Sequence, residues 1–410
     1  MESFEQGPLD GIRVVELGNF IAAPTAGRML ADFGAEVIKI ERPRTGDELR
    51  NWRLHGGDTS MLYRTINRNK KSVEVDLRTE AGRAAVLQLV AESDVVIENF
   101  RPGTLEKWGL GPDDLERVRP GIIISRISAF GQTGPLAPRP GFAAVAEAFG
   151  GFRELVGDPD RPPVRVGVSI GDSIAGLYCA FGVVMSLLHQ KRSAEELPLA
   201  QRTTDIALYE AMFSMMESLV PDYLAHGVER ERVGGRVEGI APSNSYLCAD
   251  GKSVVIAGNA DGIFDRLMRL IGRADLADDP ALRNNADRWI QRDLLDQAIG
   301  QWTGARDAVE ILADLDASDV PAGLIYTAAD IAADPHYRAR GMIQDIEVQT
   351  GSGVRSVGFP GIVPVTGGVS RPIRSVGPDL GAHNDEVLGD LLGLDEELRA
   401  QVTGEAPERT

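Results

Sequence analysis

The sequence predicts an α/β protein whose larger part is built on an open parallel sheet. Three observations carry that prediction. Short β-rich runs alternate with helix-like segments through the first 135 residues. The runs are almost continuously apolar, as strands covered on both faces of a parallel sheet are. The length of 410 residues exceeds the roughly 250–300 that one hydrophobic core sustains, so a second unit is expected.

Residues 11–18 (GIRVVELG), 35–41 (AEVIKIE), 72–77 (SVEVDL), 94–100 (DVVIENF) and 121–130 (GIIISRISAF) read as strands. Between them 24–34 and 80–94 read as helices, the first opened by Pro24 and closed by Gly34. A Gly/Pro-rich loop follows at 131–142. Two long helical patterns come next: Ile174, Leu177, Tyr178, Phe181, Val184, Met185 and Leu188 recur at helical spacing, and 204–227 forms the second pattern, ended or kinked at Pro221. The turn-rich stretch 234–245 leads into a smaller α+β unit. There 245–258 reads as a hairpin turning at Ala249 to Lys252, with helices over 260–316. A second turn-rich passage, 351–368, precedes a helical tail at 383–401. This gives a large domain over 1–227, a linker at 228–245, a small domain over 246–330 and a return segment over 331–410.

Composition narrows the function classes. Hydrophobic residues make up 43% and charged residues 25%, the balance of an ordinary folded protein. Two cysteines, Cys179 and Cys248, are too few for a disulfide framework and lack zinc-site spacing, which fits a reducing, cytoplasmic setting. Neither a leader pattern nor a run of about 18 apolar residues stands out, so no membrane is expected. A net charge of −18 argues against a nucleic-acid surface. Against that background, Lys39 to Lys71 holds nine basic residues and four acidic ones, either a solvated surface or a seat for a small polyanion.

The chemistry-bearing motifs are few. No G-x-G-x-x-G or Walker A pattern follows a strand, no G-x-S-x-G elbow occurs, and the five histidines show no metal-binding pattern. That leaves Asp172, in RVGVSIGDSIAGLY, between a β-like run and a long apolar helix. An Asp at that place caps the helix through its backbone N–H groups. It is also a carboxylate kept anionic by the helix dipole, and thereby available as a nucleophile toward an activated acyl carbon.

Eight motifs in order, from LDGIRVVELGNFIAAPTAGRMLADFGAEVIKIERPRTGD through NRNKKSVEVDL, DVVIENFRPGTLEKWGL, AFGQTGPLAPRPGF, GVSIGDSIAGLY, DIALYEAM and ADGKSVVIAGN to DPHYRARGM, resemble the class III CoA-transferase (CaiB/BaiF) family over residues 8 to 395. The resemblance implies transfer of CoA from an acyl-CoA, with succinyl-CoA as a donor, to a free carboxylic acid through anhydride and aspartyl-CoA intermediates on Asp172. It implies no metal or redox cofactor. CoA contacts fall, by the same resemblance, on Asn19, Phe20, Arg42, Lys70, Lys71, Asn99, Phe100, Arg101, Lys107 and Arg139, with Ile21 and Phe142 in the substrate pocket. For the fold it implies a Rossmann-like large domain made from both chain ends, a small domain between them, and an interlocked homodimer. Racemases resembling the family carry His and an acidic residue where Phe142 and Ala143 stand, and oxalate-using formyl-CoA transferases carry Gln at Ile21. Two other readings remain: an acyl-CoA racemase using Asp172 with Asp261, and a non-catalytic acyl-CoA-binding protein.

Overall fold

The structure, a computed structural model, describes residues 7–368 and 370–404; the sequence reading of 1–6 lies outside them. Six strands form one parallel sheet: β1 (Arg13–Glu16), β2 (Glu36–Glu41), β3 (Lys71–Glu74), β4 (Val95–Glu98), β5 (Ile123–Ser128) and β6 (Thr203–Ala207). Their order is β3-β2-β1-β4-β5-β6, with Val14 opposite both Val37 and Val95. The chain direction across the sheet reverses between β1 and β4. Ligands of such sheets bind outside the carboxyl ends at that switch point.

Period-two alternation sorts the apolar residues onto two faces. Val15, Ile38, Val73, Val96 and Ile124 pack with Val86 and Leu89 of helix α2 (Glu80–Ala91), and with Val387, Leu388, Leu392 and Val402 from the end of the chain. Val14, Val37, Val95 and Ile123 pack on the other face with Ala26 and Leu30 of α1 (Ala22–Asp32) and with Ala175, Cys179 and Val183 of α4 (Ile170–Arg192). Between these lies α3 (Ala143–Phe149), and α5 (Leu208–Phe213) follows β6. By length and composition α4 could cross a membrane, a run the sequence reading overlooked. Here its Ala175, Cys179 and Val183 face is buried against the sheet.

The second pattern expected at 204–227 is not one helix. Thr203–Ala207 instead extends the sheet beside β5, because two threonines, an Ile and the open β5 edge favour a strand over a helix start. A separate helix, Leu219–His226, holds Pro221 within its first turn, where no intrahelical N–H is needed.

The described chain divides into two compact units. One runs to Phe152, resumes over Val166–Met216 and returns from Asp334; the other comprises Arg153–Arg165 and Glu217–Ala333. Residues 153–165 and 217–227, assigned to the large domain from sequence, thus fall in the second unit. That unit holds an antiparallel sheet of β7 (Ser243–Leu247), β8 (Ser253–Ala257) and β9 (Ala322–Leu324), backed by Phe264, Leu267, Leu295, Ile299 and Ile311. The β7–β8 turn closes where expected, with Cys248 N donating to Lys252 O. In the first unit, the passage read as turn-rich at 351–368 contains a strand: β10 (Ile343–Thr350) and β11 (Gly353–Pro360) make a hairpin. The tail then docks on β3, with His383 N donating to Ser72 O and Asp76 N to Val402 O.

Candidate active site

Sheet topology puts the crevice at the switch point, where the segments that follow β1 and β4 meet. The Asn99 side chain spans it: its Oδ1 accepts from Asn19 N at 2.9 Å and its Nδ2 donates to Asn19 O at 2.8 Å. Asn99 therefore fixes the first loop with its amide. The sequence reading made it a CoA contact; here its first task is backbone positioning. Next in the loop, Phe20 adopts a left-handed backbone, φ 63°. Its ring lies 5.6 Å from Trp52 and 5.9 Å from Phe142, edge to face with the latter. Phe142 is 68% exposed and Trp52 41%, so these rings form an open aromatic wall. Ile21 is not part of that wall. It is buried with Leu49, Tyr63 and Ile66, in the cluster on which Phe20 packs.

Asp172 lies in the first turn of α4, three positions after the N-cap residue Ser169, and is half-buried. It is therefore not the cap itself. Two glycines bring its helix close to its neighbours. A Cβ on Gly171 would sit 3.3 Å from Glu147 Cγ of α3, and one on Gly176 would sit 2.7 Å from Ala22 O and 2.8 Å from Thr25 Cβ of α1. Residues four apart share a helix face. Asp172, four positions before Gly176, is thus carried on the helix face that meets the start of α1, the helix that the loop with Asn19 and Phe20 leads into. The dipole at the α4 N-terminus favours its anion there.

The basic zone is mostly internal, which leaves only its exposed members, such as Arg42, able to meet a polyanion. Lys39, Arg50, Arg64, Arg68 and Lys70 are buried. Arg50 pairs with Glu41, Arg68 with Asp32, and Arg64 with Asp379. Lys70 donates to Glu16 at 2.7 Å, to Pro24 O at 2.7 Å and to Asn67 at 2.8 Å, so its ammonium is enclosed and does not face a phosphate. Burial pulls that ammonium down to about 8 against the opposing pull of Glu16. Burial alone would raise the Glu41 carboxyl, but Arg50 and Lys39 overcome it and hold the group at about 2. Lys71 is the first residue of β3, at the end of the sheet away from the crevice, and is tied to Glu36 and Glu386. Neither lysine is placed as expected: Lys70, just before β3, is buried and therefore has to be paired, and Lys71 is part-exposed and held by two carboxylates at the amino end of the sheet.

Of the remaining candidates, Arg42 leaves the carboxyl end of β2, exposed and paired with Glu48 at 2.5 Å. Arg101 and Lys107 are exposed on the segment after β4, and Arg139 is exposed on the loop after β5. Phe100 is part-buried against Trp108, ring centroids 5.3 Å apart. Its N–H donates to Glu98, whose carboxyl burial pushes up to about 7 despite Arg126 at 2.6 Å. Asp261 is held by Arg288 at 2.7 Å. Trp52, Asp47 and Lys39 were not singled out from sequence as site residues. The available signal was a lysine inside the apolar strand VIKIE, which demands a buried acid. Among the described residues, no group of three or more His, Cys, Asp and Glu is gathered to hold a metal.

The family model for CoA-transferase family III matches residues 9–384. Succinyl-CoA–D-citramalate CoA-transferase of Chloroflexus aurantiacus is 43% identical over 391 residues, 95% of each chain. A succinate–glutarate CoA-transferase of Agrobacterium fabrum is 35% identical over 94% of this chain and 96% of its own. The crystal structure of a CaiB/BaiF family protein from Brucella suis superposes with a TM-score of 0.82 at 35% identity, covering 94% of this chain and all of that one.

Proposed function

The chain belongs to CoA-transferase family III and is a CoA-transferase; within that activity we propose that Asp172 is the nucleophile, succinyl-CoA the donor and a short dicarboxylic acid the acceptor. The placement of Asp172 supports this most: a carboxylate in the first turn of α4, on the helix face that meets the start of α1, the helix entered from the loop clamped at Asn19 and Phe20. The donor and acceptor class rest on relatives named for succinyl-CoA with citramalate, malate and mesaconate.

The route needs only carboxylate and thiolate chemistry. An Asp172 oxygen attacks the thioester carbonyl carbon; the C–S bond breaks and CoA leaves as thiolate, giving a mixed anhydride. The thiolate attacks the Asp172 carbonyl carbon and expels the donor acid as its carboxylate, leaving an aspartyl-CoA thioester. The acceptor carboxylate attacks that thioester and releases thiolate. The thiolate then takes the acceptor carbonyl and frees Asp172. One thioester is exchanged for another, so the overall exchange is close to isoenergetic, and no proton, electron or water is consumed. No metal or redox cofactor is invoked.

Arg42, Arg101, Lys107 and Arg139 are the exposed cations suited to the CoA phosphates. The outer face of α4 carries Leu177, Phe181, Val184, Met185 and Leu188, between 41% and 58% exposed. We assign that stripe to a second copy of the chain in a cytoplasmic homodimer, since an apolar patch of this kind is otherwise a liability in water. Asp172→Ala tests the chemistry: transfer falls by roughly 10³-fold or more while CoA still binds by calorimetry. Undiminished turnover would remove Asp172 from the mechanism.

A further inference from the structure

We propose that Asp47 is a positioning residue that sets both fixed sides of the aromatic wall, Phe20 and Trp52, and thereby the shape of the acyl site; the inference rests on the CoA-transferase reading above. Asp47 is fully buried. Its carboxylate accepts from Phe20 N at 3.0 and 3.1 Å, and from Leu49 N at 3.0 Å. The first pair of contacts holds Phe20 at φ 63°, a conformation an L side chain rarely adopts and that needs surrounding constraints to persist. The Leu49 contact caps a short 3-10 turn, Glu48–Asn51, which ends on Trp52, whose N–H donates to Leu49 O. One carboxylate therefore anchors the two residues whose rings meet at 5.6 Å.

Its own position is fixed from behind. Lys39, fully buried, donates to Gly18 O at 2.6 Å and pairs with Asp47 at 2.9 Å and Glu16 at 3.0 Å; Asp47 N donates to Glu41 at 3.0 Å. With Asn99 on Asn19, each of the successive residues Gly18, Asn19 and Phe20 is held by a side chain from outside its loop. Three carboxylates (Glu16, Glu41, Asp47) and three cations (Lys39, Arg50, Lys70) balance in this interior. A merely structural pair would not need to reach the one backbone N–H of a left-handed aromatic residue at the crevice.

The test is a double-substitution cycle in the full-length protein with succinyl-CoA as donor and citramalate or malate as acceptor. Asp47→Asn should lower kcat about 10- to 100-fold, with the Kd for CoA within about threefold of the unaltered protein. In a Phe20→Gly background, where positive φ is free, the same substitution should cost less than about threefold. If the two losses multiply instead, Asp47 does not act through Phe20 and the proposal is overturned. Should Asp47→Asn fold poorly, Asp47→Glu, which keeps the charge facing Lys39 and moves the carboxylate off the Phe20 N–H, serves in its place. A readout independent of turnover is the emission attributable to Trp52, obtained by difference against Trp52→Phe. It should shift to the red on Asp47→Asn, and an unchanged spectrum contradicts the proposal. Failure of the unaltered chain to transfer CoA from any acyl-CoA would sink the functional reading, whereas normal transfer with an unperturbed Asp47→Asn variant sinks this inference alone.

Discussion

Lys39 and Lys70 share one buried carboxylate, Glu16, and substitution separates their role from that of an exposed cation such as Arg42. Removing one member of a buried ion pair leaves the other charge uncompensated, at a cost of about 3–5 kcal/mol. Lys70→Met should therefore lower unfolding free energy by roughly 3 kcal/mol in chemical denaturation and leave CoA affinity unchanged. Arg42→Ala should do the reverse, weakening CoA about tenfold in calorimetric titration with stability altered by less than about 0.5 kcal/mol. A stable Lys70→Met variant that loses CoA would contradict this assignment. Cys179 offers a second check. Burial pushes its thiol up to about 12, and Cys248 is buried and raised as well. The native protein should show no rapidly reacting thiol toward a chromogenic disulfide, and two after denaturation. At this scale the sequence singled out Asp172, Arg42 and the loop residues Asn19 and Phe20, and the structure sets Asn19 and Phe20 just after β1, Arg42 just after β2 and Asp172 in the first turn of α4. It did not separate buried cations from exposed ones, since the partners Glu16, Glu41, Asp32 and Asp379 come from other elements, and pairing between elements leaves no trace in local spacing.

Among the elements, the docking of the tail on β3 depends on His383. Its Nδ1 accepts from Ser72 N at 3.1 Å, so the ring must be neutral on that nitrogen. Burial lowers its pKa from the ordinary 6.5. With the folded value below the unfolded one, the unfolded chain binds the proton more readily. The contribution is complete above about pH 6.5 and is lost as pH falls below it. Stability measured by denaturation at about pH 7.5 and about pH 5 should drop more for the unaltered chain than for His383→Asn, whose amide keeps an acceptor without titrating. Equal slopes would show that His383 is not the titrating group. The five strands from 11 to 130 were legible because each is short, apolar and bounded by turns. The sixth was not: Thr203–Ala207 runs directly into Leu208–Phe213, so the two merge into one helical pattern. β11 was hidden for another reason, as its alternation of Gly, Val and Arg in an exposed hairpin resembles turn composition.

For the whole molecule, the two-unit division and the return of the chain to its first sheet follow from the docking of 371–404 on β3 and α2. The apolar stripe on α4 makes a further statement about assembly. Light scattering after gel filtration should give the mass of two chains, and Phe181→Asp should shift it toward one; a monomer in the unaltered protein would refute the homodimer. The account as a whole turns on covalent chemistry at Asp172. Intact-protein mass spectrometry with an acyl-CoA panel, followed by hydroxylamine or borohydride trapping and peptide mapping, addresses that directly. The account predicts a trapped modification on the peptide containing Asp172, strongest with succinyl-CoA and absent in Asp172→Ala. CoA binding without an adduct from any donor, in a protein that still transfers CoA, would contradict it.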